Sequence, residues 1–395
     1  MIPISEAISI IIRETSLLEA ETVDLSVAGG RVLAEEIFAD SDLPPFDRSM
    51  MDGFAVKSED VKNAPVKLKI VGESVAGKRW PGEIKNGEAV RIMTGAALPV
   101  GADSVQKVEE TRESDGLIEI LEPTRAGQFF VKRATEITRG APVFEKGEMI
   151  NEKMIAALAS FGYARVEVSQ RPTISILATG SELVAVNETP RKDEIRDSNS
   201  ATLRAFAEKI ARVENVELIE DDLESLKSKI EGQRSKIIIL TGGVSMGDYD
   251  FTKPALHELG AEIFFDKVCL KPGKPCVFAK LGKQLVFGLP GNPVSVITTF
   301  SLFVRMAILH MQGAIDTELK RGFAVVSKQM KGAKERDSYL PAALEFSEKG
   351  QLIVTPLRFS GSSDFVGFAR ADCLIFVPKG KILGEGSVAE IRFLT

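Results

Sequence analysis

From Pro172 onward, short and nearly continuous apolar runs alternate with longer stretches whose apolar residues recur at helical spacing. TISILATG, VELIEDD, KIIILTGG and QLVFGLPG read as strands buried on both faces. Helices are expected near Ser200 to Ala211, Leu223 to Ile230, Thr252 to Leu259 and Val294 to Gln312. Strand and helix in alternation predict a central three-layer α/β/α domain over 169–317, built on a mostly parallel sheet.

The pattern differs on either side. MIPISEAISIIIRETSLLEA is apolar at Ile4, Ile8, Ile11 and Ile12 but carries Glu6, Arg13 and Glu14, which predicts an amphipathic helix rather than a signal peptide or membrane anchor. Pro44 and Pro45 break that pattern, and KLKIVGE, AVRIMTG and GLIEILEP then read as short strands. NEKMIAALASF returns to helix. We therefore expect a β-rich domain, 41–140, inserted into a helical domain split between 1–40 and 141–168. After Asp316 the helices stop, and FAVVSK, LEFSE, QLIVTPL, CLIFVP and AEIRFL predict a small all-β domain, 318–395. The class is multidomain α/β.

Charge narrows the partners. The 50 basic and 56 acidic residues give a net charge of −6, which offers no global field for nucleic acid. An anionic ligand must be held by a local pocket. Cys269, Cys276 and Cys373 form no CxxC pair, and with two histidines they do not make a usual structural zinc cluster. A reducing cytoplasm is the expected setting.

In an open α/β sheet, ligands bind beyond the carboxyl ends of the strands. ATGSEL, the acids Asp221 and Asp222, TGGVSMGDYD and GLPGNPVS all fall at that edge. Glycines there permit positive φ and close backbone approach, and helix starts attract negative charge. LKPGKP adds Lys271 and Lys274 as point charges for an oxyanion. There is no GxxxxGK[ST] and no GxGxxG opening a helix, which argues against a P-loop nucleotidase and a dinucleotide enzyme.

Each acid has a plainer role open to it. Asp250 or Thr252 could cap the helix at Lys253-Pro254, Asp221 and Asp222 could be solvated acids ahead of Leu223, and Glu182 could simply face a helix dipole. Asn199 could be an N-cap, and Asp52 and Thr94 could belong only to turns. Their shared edge changes the balance for the central acids. Carboxylates beside an anion-binding turn repel the anion unless a divalent cation intervenes, and Mg²⁺ suits such oxygen donors.

PPFDRSMMDGFAV, RIMTGAALPVGADSVQKVEE, ATGSEL, DSNS, TGGVSMGDYDFTK, KPGKP and GLPGNPVS, in that order, resemble the molybdopterin molybdenumtransferases of the MoeA type, a family that includes the gephyrin E domain. The resemblance implies a C-terminal β-barrel and a homodimer whose cleft lies between the central domain of one subunit and the inserted domain of the other. It implies a reaction in which adenylylated molybdopterin and molybdate are the substrates, the adenylate is hydrolysed with Mg²⁺, and AMP is released. Carried over by position, Asp52, Thr94, Glu182, Asp221 and Asp250 are the catalytic candidates, with Glu182 and Asp250 as metal ligands. Gly242, Gly243, Ser245, Gly247, Asp197, Ser198, Asn199, Lys271, Lys274, Pro290 and Pro293 are the candidates for holding pterin, phosphate or molybdate.

The resemblance further implies contact with the adenylyltransferase and with molybdoenzyme maturation factors, while the net charge argues against a nucleic-acid partner and the N-terminal pattern against a membrane. Two positions depart from its pattern: Glu136 stands where an aspartate is usual, and Met50 where a small residue is common. An adenylyltransferase-like or pyrophosphate-hydrolysing enzyme and a gephyrin-type scaffold are the competing readings.

Overall fold

A computed structural model describes residues 1–243, 251–357 and 361–394. The chain divides into two compact units: Met1–Glu35 with Lys146–Ile155 and Arg165–Thr395, and Glu36–Glu145 with Ala156–Ala164.

The first unit is organised by a six-stranded sheet. Its elements are β1 (Thr173–Thr179), α1 (Ser198–Ala207), β2 (Arg212–Ile219), α2 (Leu223–Glu231), β3 (Ile237–Thr241), α3 (Thr252–Glu258), β4 (Glu262–Lys267), β5 (Pro275–Leu281), β6 (Gln284–Leu289) and α4 (Pro293–Met311). The strand order is β2-β1-β3-β6-β5-β4. The first four strands run parallel, as the alternating pattern requires. The run of residues 275–289 instead folds as a hairpin, with Leu281 opposite Gln284, so β5 is antiparallel to β6 and to β4. Gly282 supplies the positive φ of +59° that the tight turn needs.

Side-chain alternation along β3 shows why its apolar run is unbroken. Ile237 and Ile239 enter one core with α1, α4 and the N-terminal helix Ile4–Glu14, while Ile238 and Leu240 enter a second core with α2 and α3. That is the expected three-layer arrangement. The N-terminal helix contributes Ile4, Ala7 and Ile11, one face at helical spacing, and each buried isoleucine is worth about 1.5–3 kcal/mol. Helix α4 is apolar all round because it is buried all round, and its middle widens into a π-turn over Phe300–Val304.

Between the N-terminal helix and the central sheet, Ala20–Asp24 pairs antiparallel with Arg165–Ser169. The helical character expected of the two flanks is thus confined to Ile4–Glu14 and Glu152–Ser160; the alternation in RVEVS favours a strand. At the other end, Arg321–Val326, Asp337–Phe346, Leu352–Pro356, Cys373–Val377 and Val388–Phe393 close into a five-stranded barrel, sealed by the pairing of Ser338 to Ala342 with Val377 to Cys373. Its interior holds Val326, Ala342, Val354, Ile375 and Ile391.

The second unit carries a six-stranded sheet in the order Ser104–Lys107, Gly53–Val56, Glu88–Ile92, Val66–Ser74, Leu117–Ile120, Thr111–Ser114. Phe54, Val56, Leu68, Ile118 and Ile120 fill one side of it, and Ala55, Val90, Ile92 and Val105 the other.

Candidate functional site

The loops leaving β1, β2, β3 and β6 line one cavity of about 860 Å³. Thr179, Gly180 and Glu182 come from the first of these loops, Asp221 from the second, Thr241 to Gly243 from the third, and Gly291 to Pro293 from the last. The start of α1 adds Asp197, Ser198 and Asn199. Sheet topology alone brings these distant segments to one edge.

Two glycines let the loops meet backbone to backbone. Gly242 has φ +91°, and a Cβ there would lie 2.1 Å from the carbonyl oxygen of Thr179. A Cβ on Gly291 would in turn lie 3.7 Å from the Cα of Gly242. The close approach leaves polar groups in the wall with unfilled capacity. Among the described residues, Thr179 Oγ1 and Asn199 Oδ1 are buried without a hydrogen-bond partner.

Asn199 is held by its amide nitrogen, which donates to Gly291 O at 2.7 Å and to Thr241 Oγ1 at 3.2 Å. The threonine hydroxyl donates onward to Pro290 O at 3.3 Å. The cap of α1 is therefore not Asn199: Asp197 Oδ1 accepts from Ser200 N at 2.9 Å, which frees Asn199 to reach across the strand ends.

The adjacent aspartates also separate. Asp222 caps α2, accepting from Ser225 N at 2.9 Å, and the Ser225 hydrogen bonds hold its carboxyl below the ordinary range. Asp221 lines the cavity. Burial pushes its pKa up, and the Glu182 and Asp222 charges push it further. The Glu182 charge thus reaches Asp221 across the cavity wall. The described lining carries Glu182, Glu194, Asp197 and Asp221 but only Arg196 as a cation.

Other expected residues fall elsewhere. Gly242, Gly243, Ser198 and Pro293 line the cavity. Pro290 lies just beneath it, accepting the Thr241 hydroxyl. Lys271 and Lys274 are exposed and are not among the lining residues; Leu270–Lys271 is drawn instead into pairing with the barrel strand at Asp337 and Ser338. Ser245, Gly247 and Asp250 lie outside the described residues. Thr252 does not act as the N-cap of α3, a position taken by Phe251.

Sequence reading did not single out Thr179, Ser363 or Phe365. The last two reach the cavity from the C-terminal domain, where Ser362 O accepts from Val294 N at 3.0 Å and Asp364 caps the short turn that carries a half-exposed Phe365. The Ser-Ser-Asp sequence signals a cap, but nothing in it reports the distant cavity.

The inserted unit has a constellation of its own. Asp52 Oδ1 accepts from Thr94 N at 2.6 Å and from Thr94 Oγ1 at 2.8 Å. The backbone N–H and then the hydroxyl hold the Asp52 carboxyl below its usual range. Gly53 follows because a Cβ there would lie 1.9 Å from Gln106 O. Glu136 is exposed, 4.0 Å from Arg48, and Met50 is also exposed.

Comparison with known proteins covers nearly the whole chain. Residues 2–162 match the family described as MoeA N-terminal region (domain I and II), 175–310 the "Probable molybdopterin binding domain", and 324–394 the MoeA C-terminal region (domain IV). A Molybdopterin molybdenumtransferase of Staphylococcus aureus is 36% identical over 100% of this chain and 98% of its own length. One from Haemophilus influenzae is 34% identical over 90% of this chain and 89% of its own. A crystal structure of a molybdopterin biosynthesis MoeA protein from Pyrococcus horikoshii superposes with a TM-score of 0.85 at 27% identity, covering both chains completely.

Proposed function

The chain belongs to the MoeA family of molybdopterin molybdenumtransferases, enzymes of molybdenum cofactor biosynthesis, and from that premise we propose that its strand-end cavity binds adenylylated molybdopterin and hydrolyses the adenylate as molybdate is taken up. One observation carries this reading: Asp221 and Glu182 share a wall with a buried threonine hydroxyl and an asparagine carbonyl that lack partners among the described residues.

The donors fit Mg²⁺. They are hard oxygen groups, and Mg²⁺ is typically held by one or two carboxylates together with substrate phosphate and water. Glu182 would hold it, with Asp250 added from the sequence pattern. Bound there, Mg²⁺ would neutralise phosphate charge and polarise the bond to AMP.

The chain's own groups then have separate tasks. The bare backbones of Gly242 and Gly243 admit the phosphate end, close to the start of α4. Asn199 Oδ1 accepts an N–H of the pterin, and Phe365 offers a flat face to its rings. Asp221, with its raised pKa, takes the proton from water as the water oxygen joins phosphorus and the phosphorus–oxygen bond to AMP breaks. Molybdate supplies the molybdenum left on the dithiolene sulfurs, one of its oxygens leaving as water with the two thiol protons.

A homodimer is part of the proposal, with Asp52 of the partner subunit and Thr94 of the partner subunit completing the reaction. Equal amounts of Asp52→Ala and Asp221→Asn chains, coexpressed, should recover about a quarter of wild-type molybdenum transfer, because half the dimers then own one intact site. Mixed dimers with no recovered transfer would contradict a shared site. We place the enzyme in the cytoplasm, on its three free thiols, between the adenylyltransferase that supplies its substrate and the maturation factors that take its product.

A further inference from the structure

At the opposite edge of the central sheet, where β1 and β2 begin, a second cavity of about 550 Å³ opens among Arg31, Arg171, Arg212, Glu21, Gln170 and Thr173. Its cations are unequally neutralised. Arg31 is paired with Glu21 and donates to Ser169 O at 2.8 Å. Arg212 stands 3.7 Å from Glu214, and the lining residue Glu208 is engaged by Arg204 at 2.7 Å. Arg171 pairs with no carboxylate among the described residues. It donates only to Gly30 O at 3.4 Å and Lys209 O at 3.2 Å, both long for a guanidinium.

Two more features point to a missing acceptor. The Nε atoms of Arg31 and Arg171 are both buried and unpartnered among the described residues, and Arg31 is itself only 9% exposed. Burial, and then the neighbouring Arg31 charge, pull the Arg171 pKa down, outweighing the opposing Glu21 charge. Thr173 Oγ1 accepts from Lys236 N, which leaves its own proton to donate. A half-buried guanidinium beside a second one is costly unless an anion balances it.

We propose that this cavity is an oxyanion site, separate from the strand-end cavity, which takes a tetrahedral dianion such as inorganic phosphate, with Arg171 as its main contact and Arg212 closing the rim. Bound anion would tie Gly30 and the Ala20–Asp24 strand to the start of the central sheet through Arg171. Guanidinium forks match such ligands, and the site needs no metal.

The test is calorimetric titration of the full-length protein with inorganic phosphate at ionic strength fixed with chloride. Arg171→Gln should weaken binding by at least about tenfold, the loss of one charge-assisted contact, and Arg212→Gln by a smaller factor of about three. Asp221→Asn, in the other cavity, should leave it unchanged. Sulfate and molybdate should compete, because they share the tetrahedral dianion. Lack of binding to the wild type, equal binding by the folded Arg171→Gln chain, or loss of binding in Asp221→Asn would overturn the proposal. Should Arg171→Gln not fold, the exposed Arg212→Gln decides, and undiminished binding there overturns it equally.

Discussion

Asp221→Asn should lower molybdenum transfer by at least about a hundredfold while the fold stays as stable as before or gains slightly. The two halves of this expectation have separate origins. Asp221 lines the cavity and feels the Glu182 charge, so the amide removes the proposed base from the site. Its carboxyl is raised above the ordinary 3.8 by burial and by two neighbouring acids. A raised folded-state pKa contributes stability fully present below the unfolded value and lost as pH rises through the folded one. Burial and the neighbouring charges act against the ionised form alone, so a neutral amide costs the fold nothing. Asp222→Ala is the matched control: loss of the α2 cap should lower the melting temperature and spare most of the activity. Unimpaired transfer by Asp221→Asn, or the reverse assignment of the two effects, would remove Asp221 from the reaction.

Gly242→Ala should damage both properties at once. The methyl group would sit 2.1 Å from Thr179 O, a backbone atom that cannot rotate away, at a residue whose φ is +91°. The positive φ costs about 1 kcal/mol and the forced separation of two strand ends a further 1–3 kcal/mol, so the loss should be about 2–4 kcal/mol. Thermal melting and transfer rate, measured on one preparation, check it. Because Thr179 and Gly291 move with any such separation, transfer should fall more than melting alone explains. A variant with native melting temperature and full activity would mean that the loops do not meet as described.

The main architecture was legible because its signals are local. Within KIIILTGG the four residues Ile237 to Leu240 are all apolar since β3 is buried on both faces, and its glycines stand where β3 ends against β1. The hairpin of β5 and β6 was less visible, since an unbroken apolar run does not reveal strand direction. Nor could the amphipathic pattern of Ile4–Glu14 show that its apolar face joins the core of a sheet starting at Thr173.

Less of the candidate site was legible. Asp221 and Asp222 are chemically identical, and only the register of α2 makes one a cap and the other a cavity residue. The same register effect exchanged the cap of α1 from Asn199 to Asp197. Lys271 and Lys274 flank a turn that looked suited to an oxyanion, but pairing of Leu270–Lys271 with the barrel decides where they lie. Ser363 and Phe365 depend on long-range packing between domains, which no short pattern encodes.

AMP and pterin-bound molybdenum can be followed together as the full-length protein acts on adenylylated molybdopterin with molybdate. AMP and molybdenum transfer should rise in step, both requiring Mg²⁺ and both abolished by chelation and by Asp221→Asn. Molybdenum transfer without AMP release, or AMP release indifferent to chelation, would contradict the proposed reaction.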